Sequence, residues 1–474
     1  MSSVLDRDLK EARQAFDRGQ YRELLIACRP RYYEIRSQAA RKPDKARSFT
    51  EELGGLVDFL LLFGRSQARL EDYEEAGAAY DLVGSLLEGL PLQGKCALLN
   101  FKLKLEEAVL ALQSGLKSLE DTSQTLEQLV KDIKTWRQED STATGGKGSA
   151  LAEEATRLLV RSQAHLGRVK VQQSDLLSAG RELRQALGLA QKSFGKGDRS
   201  SYYPLLALAL LHHREGKYTL SQALAKDAME VILPGAENLT EGEHFHALLV
   251  EPLMIRAEAL LAQGLWSKAL LPARLAVYQA LNTLGDEHSL YRQLLKVRAR
   301  VLKANYEFEE AVEDYKQLLQ MQEADLARTA GDGENKLSGS HLLIEPLCEL
   351  ATVLARSGAN DQAQIYFERA LKCLELAAQE RPFENAGAKK GVGSLQEFNL
   401  QASDSACYQE RALLDELSFC YLMQGKVADV LRNIPATLRT EYTCRLDRVT
   451  SIFDNYQDAG RLLQEEIDKH RPAE

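Results

Sequence analysis

The chain has 474 residues, 45% hydrophobic and 27% charged, the balance of a folded protein rather than a disordered one. Its net charge of −9 and pI of about 5.6 argue against nonspecific nucleic-acid binding as a main activity. The N-terminal MSSVLDRDLKEA has no apolar signal core, the longest apolar run (Pro204 to Leu211) is too short to cross a bilayer, and seven scattered cysteines form no CxxC pair, so the expectation is a cytoplasmic protein with reduced thiols and no membrane partner.

Leu, Ala, Glu, Gln and Arg dominate, only 11 prolines are present, and alternating Val/Ile/Thr runs are nearly absent, so the chain reads as almost all helix. In chain order, DRGQYRELLIACRP offers a turn at Gly19 and Tyr21, followed by a helix that Pro30 is expected to interrupt. RLEDYEEAGAAYDLV then places Tyr73, Ala76, Tyr80 and Val83 at helical spacing. Cys96 to Glu139 reads as two helices split near Gly115, and Ser141 to Ala150 (STATGGKGSA) as a small-residue linker. EGKYTLSQALAKDA sets Gly216 and Tyr218 before Ser221, Ala225 and Ala228. QGLWSKALLPARLA sets Gly264 and Trp266 before Ala269, Ala273 and Ala276. ANYEFEEAVEDYKQL gives Tyr306, Phe308, Ala311, Tyr315 and Leu318, and SGANDQAQIYFERAL gives Gly358, Ala363, Phe367 and Ala370. Gly331 to Ser340 is a polar insertion and Arg381 to Ser405 a Gly/Lys-rich loop. A weak further copy begins at Gly425, and Tyr442 to His470 reads as a capping helix.

This grammar resembles the tetratricopeptide repeat, in which a small residue of helix A faces a small residue of helix B twelve positions later. Six pairs have that spacing: Gly64/Ala76, Gly167/Ala179, Ala209/Ser221, Ala257/Ala269, Ala299/Ala311 and Ala351/Ala363. Steps of 42 and 48 residues between helix-B anchors imply long helices and resemble the repeats of kinesin light chains and related cytoskeletal or ciliary adaptors. Gly285-Asp286-Glu287-His288 resembles their inter-repeat phrase, with Ser289 where they carry proline. The resemblance implies an all-α solenoid, a right-handed superhelix closed by a C-terminal capping helix. The expected organisation is an N-terminal helical block over 1–140, a linker over 141–150, the main array over 151–378, a loop over 379–405, and a terminal repeat and cap over 406–474.

Motifs for chemistry are wanting. Gly145-Gly146-Lys147-Gly148-Ser149 and GAKKGVG at Gly387 both fail the phosphate-loop patterns. His244 and His246, beside Glu241 and Glu243, lack the H-E-x-x-H arrangement and read as an exposed helix start. No nucleophile elbow is present. The expectation is a protein that is not an enzyme and uses no cofactor or metal.

The resemblance also implies an inner groove lined by helix A. At the inward positions stand nine cations, Arg65, Arg69, Arg161, Arg168, Arg214, Lys296, Arg300, Lys303 and Arg356, together with His213, against four carboxylates, Asp58, Glu251, Glu258 and Glu345. A groove more positive than the whole chain suits a protein partner offering an acidic segment or tail, since guanidinium forks hold carboxylates at two points. The function expected is a protein-interaction adaptor. The alternative is a structural subunit of a large complex, held by its convex face and loops. Finally, Pro204, Pro252 and Pro346 lie seventeen residues before their anchors, so each either begins helix A or bends it. The apolar residues ahead of Pro252 and Pro346 favour a bend in a longer helix.

Overall fold

The computed structural model describes residues 2–40, 51–91, 93–143, 150–236, 239, 245–329 and 341–380. The insertion at Gly331, the loop after Arg381, the Gly425 repeat, the C-terminal cap, His244 and the glycine-rich stretch at Gly145 lie outside the described residues. Helix is the only regular structure among those described, in sixteen α-helices and short 3-10 turns. They fall into two compact units, residues 1–297 and 298–474.

In the first unit consecutive helices pair: α1 (Ser2–Asp17) with α2 (Tyr21–Ala40), α3 (Glu51–Arg69) with α4 (Tyr73–Leu87), and α5 (Gly94–Ser114) with α6 (Leu119–Ala143). Then α7 (Ala150–Gln172) pairs with α8 (Leu176–Phe194), α9 (Tyr202–Arg214) with α10 (Tyr218–Ile232), and α11 (Val250–Ala262) with α12 (Trp266–Thr283). The first helix of each pair also packs on the first helix of the next, from α1 to α3 through to α9 and α11. This double stacking makes the unit an α-solenoid. Helices α6 and α7, on either side of the small-residue linker, pack on each other within it. Helix α13 (Ser289–Ala304) spans the division. In the second unit α14 (Phe308–Thr329) packs on α15 (His341–Arg356), and α15 on α16 (Asn360–Glu380).

One turn recurs between the paired helices. Gly19, Glu71, Ser174, Gly216, Gly264, Tyr306 and Gly358 all have positive φ, between 64° and 87°. The next residue's N–H returns to the carbonyl five residues back at 2.8–3.0 Å, as in Lys217 to His212 and Leu265 to Leu260. The positive-φ residue's own N–H bonds the carbonyl three back, as in Gly216 to His213. This is the Schellman ending, which satisfies helix-A carbonyls while reversing the chain. Asp72 and Asp175 then cap helix B, each accepting from the N–H three residues on at 3.2 Å. The turn is therefore fixed by backbone geometry, and glycine merely lowers its cost. Where Glu71, Ser174 and Tyr306 stand, a side chain is held in the left-handed region. Replacing exposed Ser174 by Gly is expected to raise unfolding stability by about 0.5–1 kcal/mol in urea denaturation.

The twelve-residue pairs lie where the helices touch. Ala76, Ala179, Ser221, Ala269, Ala311 and Ala363 are all fully buried. The Ser221 hydroxyl donates to the Ala209 carbonyl at 2.8 Å, so the two halves of that pair meet directly. At Gly167 an added Cβ would stand 2.5 Å from Leu183 Cγ, and at Gly64 it would overlap the Tyr80 ring. These helices approach as closely as a missing side chain permits. The first pair follows the same spacing with Ala12 and Leu24, both buried.

Proline behaves differently from site to site. Pro204 and Pro252 are third residues of α9 and α11, and each helix is preceded by one 3-10 turn, Arg199–Ser201 and Ala247–Leu249. A first-turn proline lacks an N–H that would be unpaired anyway, and the 3-10 turn leads the chain into it. There, helix A begins at the proline's own turn, and the long bent α-helix expected before Pro252 does not form. Pro346 instead lies inside α15, which starts at His341. Pro30, expected to interrupt its helix, lies within α2 on an exposed face, and the helix continues to Ala40. Burial of Leu24, Leu25, Cys28, Tyr32 and Ile35 along the opposite side holds the segment helical despite the lost bond. Tyr32 stacks on Phe63 at 4.2 Å between centroids.

Candidate binding site inside the first unit

The first unit closes on itself through backbone carbonyls. His246 and His288 hold the same repeat address, twenty-three residues before Ala269 and Ala311. Each accepts at Nδ1 from the N–H two residues on, Leu248 at 3.1 Å and Leu290 at 3.0 Å. That leaves Nε2–H to donate, and its acceptors are the Asp17 carbonyl at 2.8 Å and the Arg69 carbonyl at 3.0 Å. Those two carbonyls also share an address, at the ends of α1 and α3. Arg199 adds a bond to Asp17 O at 3.0 Å, and Arg22 reaches Leu284 O at 2.8 Å. Glu71 takes the N–H of Ser289 at 2.9 Å and its hydroxyl as well. So the first two helix pairs are fastened to the starts of α9, α11 and α13. His246, expected at an exposed helix start, is buried because it performs this fastening.

Inside the closure the candidate cations gather. Glu106 of α5 is only 2% exposed. It accepts from Arg65 Nε at 2.5 Å and from both terminal nitrogens of Arg161 at 2.6 and 3.0 Å. Burial raises the Glu106 carboxyl above its ordinary value, against the opposing pull of Arg65. Arg168 holds Glu251 at 2.9 Å. Burial pushes the Glu251 carboxyl up, but Arg168 and Arg69 together hold it below the usual range. Arg69 donates to the Tyr203 hydroxyl at 3.1 Å, and Arg161 lies 5.5 Å above the same ring. His165 packs 5.3 Å from that ring. A cavity of about 330 Å³ opens here, lined by Tyr21, Arg69, His165, Arg168, Tyr203 and Glu251 among others.

The remaining cations stand elsewhere. His213 packs edge-on against Tyr218 at 5.3 Å, at the end of α9, beside exposed Arg214. Lys296 is half-buried on α13. In the second unit Lys303 pairs with Glu349 at 2.5 Å, and Glu349 also accepts from Tyr315 at 3.1 Å. Arg300 and Arg356 are exposed. Sequence reasoning gathered the cations but missed Glu106, because α5 carries no repeat signature. Among the described residues no cluster suits a metal ion, and no described helix is long and apolar enough to cross a membrane.

Two buried histidines and a third that is partly buried make stability depend on pH. Burial, with Arg168, Arg69 and Arg65 adding to it, holds His165 down at about 3. Burial also lowers His246 and His288, against the pull of their carbonyl acceptors. The unfolded chain therefore binds more protons than the folded one below about pH 6.5, and stability falls as pH drops. His165→Gln is expected to shrink the stability difference between pH 7.5 and pH 5 by about 2 kcal/mol, read from urea midpoints at the two pH values.

No protein-family model matches the chain, and no curated protein matches it. Solved structures of helical-repeat proteins are similar to it. BtubC (BKLC) from P. vanneervenii is 15% identical, covers 59% of this chain and 99% of its own, with a TM-score of 0.42. A kinesin-light-chain protein of P. anserina with nearly identical TPR-like repeats is 22% identical, covers 48% and 98%, and scores 0.38. A Rap protein crystallised with Competence and Sporulation Factor is 14% identical, covers 88% and 98%, and scores 0.44.

Proposed function

We propose that this chain is a non-catalytic protein-interaction adaptor that holds an acidic segment or tail of a partner against the helix-A faces of its repeats. The observation carrying this reading is the exposure of Arg214, Arg300 and Arg356 at inner-face addresses. Repeats stacked in advance lose little ordering entropy on binding, which favours an extended guest. The setting suggested by the Gly285–His288 phrase is a cytoplasmic assembly linked to the cytoskeleton, a motor or a cilium.

Acidic and basic peptide libraries immobilised side by side test the idea. Acidic peptides are expected to retain the protein, with affinity falling about tenfold or more in the Arg300→Glu/Arg356→Glu variant and steeply with salt. Equal retention by basic peptides, or affinity untouched by the double reversal, would rule it out. The alternative, a structural subunit docked by its outer faces, draws on Ile26 and Leu271. Both lie two residues past their helix-B anchors and are exposed.

A further inference from the structure

The cavity in the first unit contains polar groups that the fold leaves unused. Tyr21 is 1% exposed and its hydroxyl has no hydrogen-bond partner. His165 is 7% exposed and its Nε2 has none either. Both line the cavity, and native interiors seldom leave such atoms unmatched. Arg69 lines it too. Its hydrogen-bond partner is the neutral Tyr203 hydroxyl, and among the described residues no carboxylate lies within ion-pair distance of it. Arg168, by contrast, is matched by Glu251. The cavity therefore offers a guanidinium in contact with no carboxylate, a free hydroxyl donor and an uncharged imidazole, while the two carboxylates in its lining, Glu251 and Glu71, are taken up by Arg168 and by Ser289. Leu206, Met254 and Ile255 supply apolar wall, and exposed Gln113, Gln172 and Gln293 mark the side open to water.

We propose that this cavity binds a single carboxylate carried on an apolar body. One carboxylate oxygen would take the Arg69 guanidinium and the other the Tyr21 hydroxyl, with the His165 ring beside them. The apolar body would lie on Leu206, Met254 and Ile255. A dianion such as phosphate is disfavoured, because the Glu251 and Glu71 carboxylates share the lining. The source of the carboxylate is either a free organic acid or the C-terminus of a peptide. This site is independent of the adaptor reading, which concerns the exposed cations, and each stands or falls alone.

Isothermal titration of the full chain tests it with four probes: octanoate, N-acetylleucine, N-acetylleucine amide and inorganic phosphate. Binding of octanoate or N-acetylleucine is expected at least tenfold tighter than of the amide or phosphate. Octanoate alone would assign the site to free acids, and N-acetylleucine alone to a peptide terminus. Arg69→Gln and Tyr21→Phe are each expected to weaken that binding at least tenfold. Because the Tyr21 hydroxyl has no partner in the fold, Tyr21→Phe should keep the thermal midpoint of the free protein, so its loss of binding is not a loss of structure. No binding by either acid, equal binding by the amide or by phosphate, or wild-type affinity in Tyr21→Phe would overturn the proposal.

Discussion

Glu106→Ala is expected to lower the stability of the first unit by about 3–5 kcal/mol, read from the midpoint of its denaturant unfolding. The carboxylate is almost wholly buried and is shared by Arg65 and Arg161, so its removal leaves two guanidiniums facing each other in a desolvated space. The pairs themselves need not be net stabilising, since burial of all three charges is costly. The triple replacement of Arg65, Glu106 and Arg161 by Met is therefore expected to recover most of what the single variant loses. Recovery would show that the triad specifies arrangement more than it adds stability. A triple variant as unstable as Glu106→Ala would instead show that the ionic contacts hold the inner helices together.

Gly167→Ala is the second large effect. Alanine improves helix propensity by about 1 kcal/mol over glycine. Here the new methyl would stand 2.5 Å from Leu183 Cγ, and Leu183 is fully buried. Overpacking of this kind costs about 1–3 kcal/mol, so the clash outweighs the propensity gain and the net change is a loss. A double-mutant cycle with Leu183→Ala isolates the cause. Gly167→Ala/Leu183→Ala should be less unstable than the sum of its singles, because the second truncation makes space for the first methyl. Strict additivity would mean that the close approach of α7 and α8 is not what keeps glycine at this position.

Both effects trace to features that differ in how sequence records them. Helix pairing was legible because a small residue twelve positions before another is a local pattern, and Gly167 is one of its six instances. The Schellman turns were legible where Gly19, Gly216, Gly264 and Gly358 occupy the left-handed position. They were less so at Glu71 and Ser174, where aspartate caps and the backbone bonds impose the same geometry on other residues. Helices α5 and α6 carry no signature, although Ser118 caps the start of α6 by accepting from the Asp121 N–H at 3.0 Å. That made Glu106 invisible as the partner of two arginines from other repeats. The proline address was visible, but its outcome depends on what precedes it. A 3-10 turn leads into Pro204 and Pro252, whereas α15 runs through Pro346.

The closure of the first unit was least legible. Its bonds join residues more than 180 positions apart and mostly end on backbone carbonyls, which have no sequence identity. Its trace was a repeated address, His246 and His288, of which the first read as a helix start and the second as part of the inter-repeat phrase. Closure also divides the cations. Arg65, Arg161 and Arg168 face carboxylates of the same unit, while Arg214, Arg300 and Arg356 present their charge to solvent.

Hydrogen–deuterium exchange on a His246→Ala/His288→Ala double variant measures that closure directly. With two of its fastenings removed, exchange in α1, α2 and the end of α3 should accelerate, while α7 and α8, held by their own close pairing, should keep wild-type protection. Unchanged protection in α1 to α3, or an equal rise across α7 and α8, would contradict closure by these histidines.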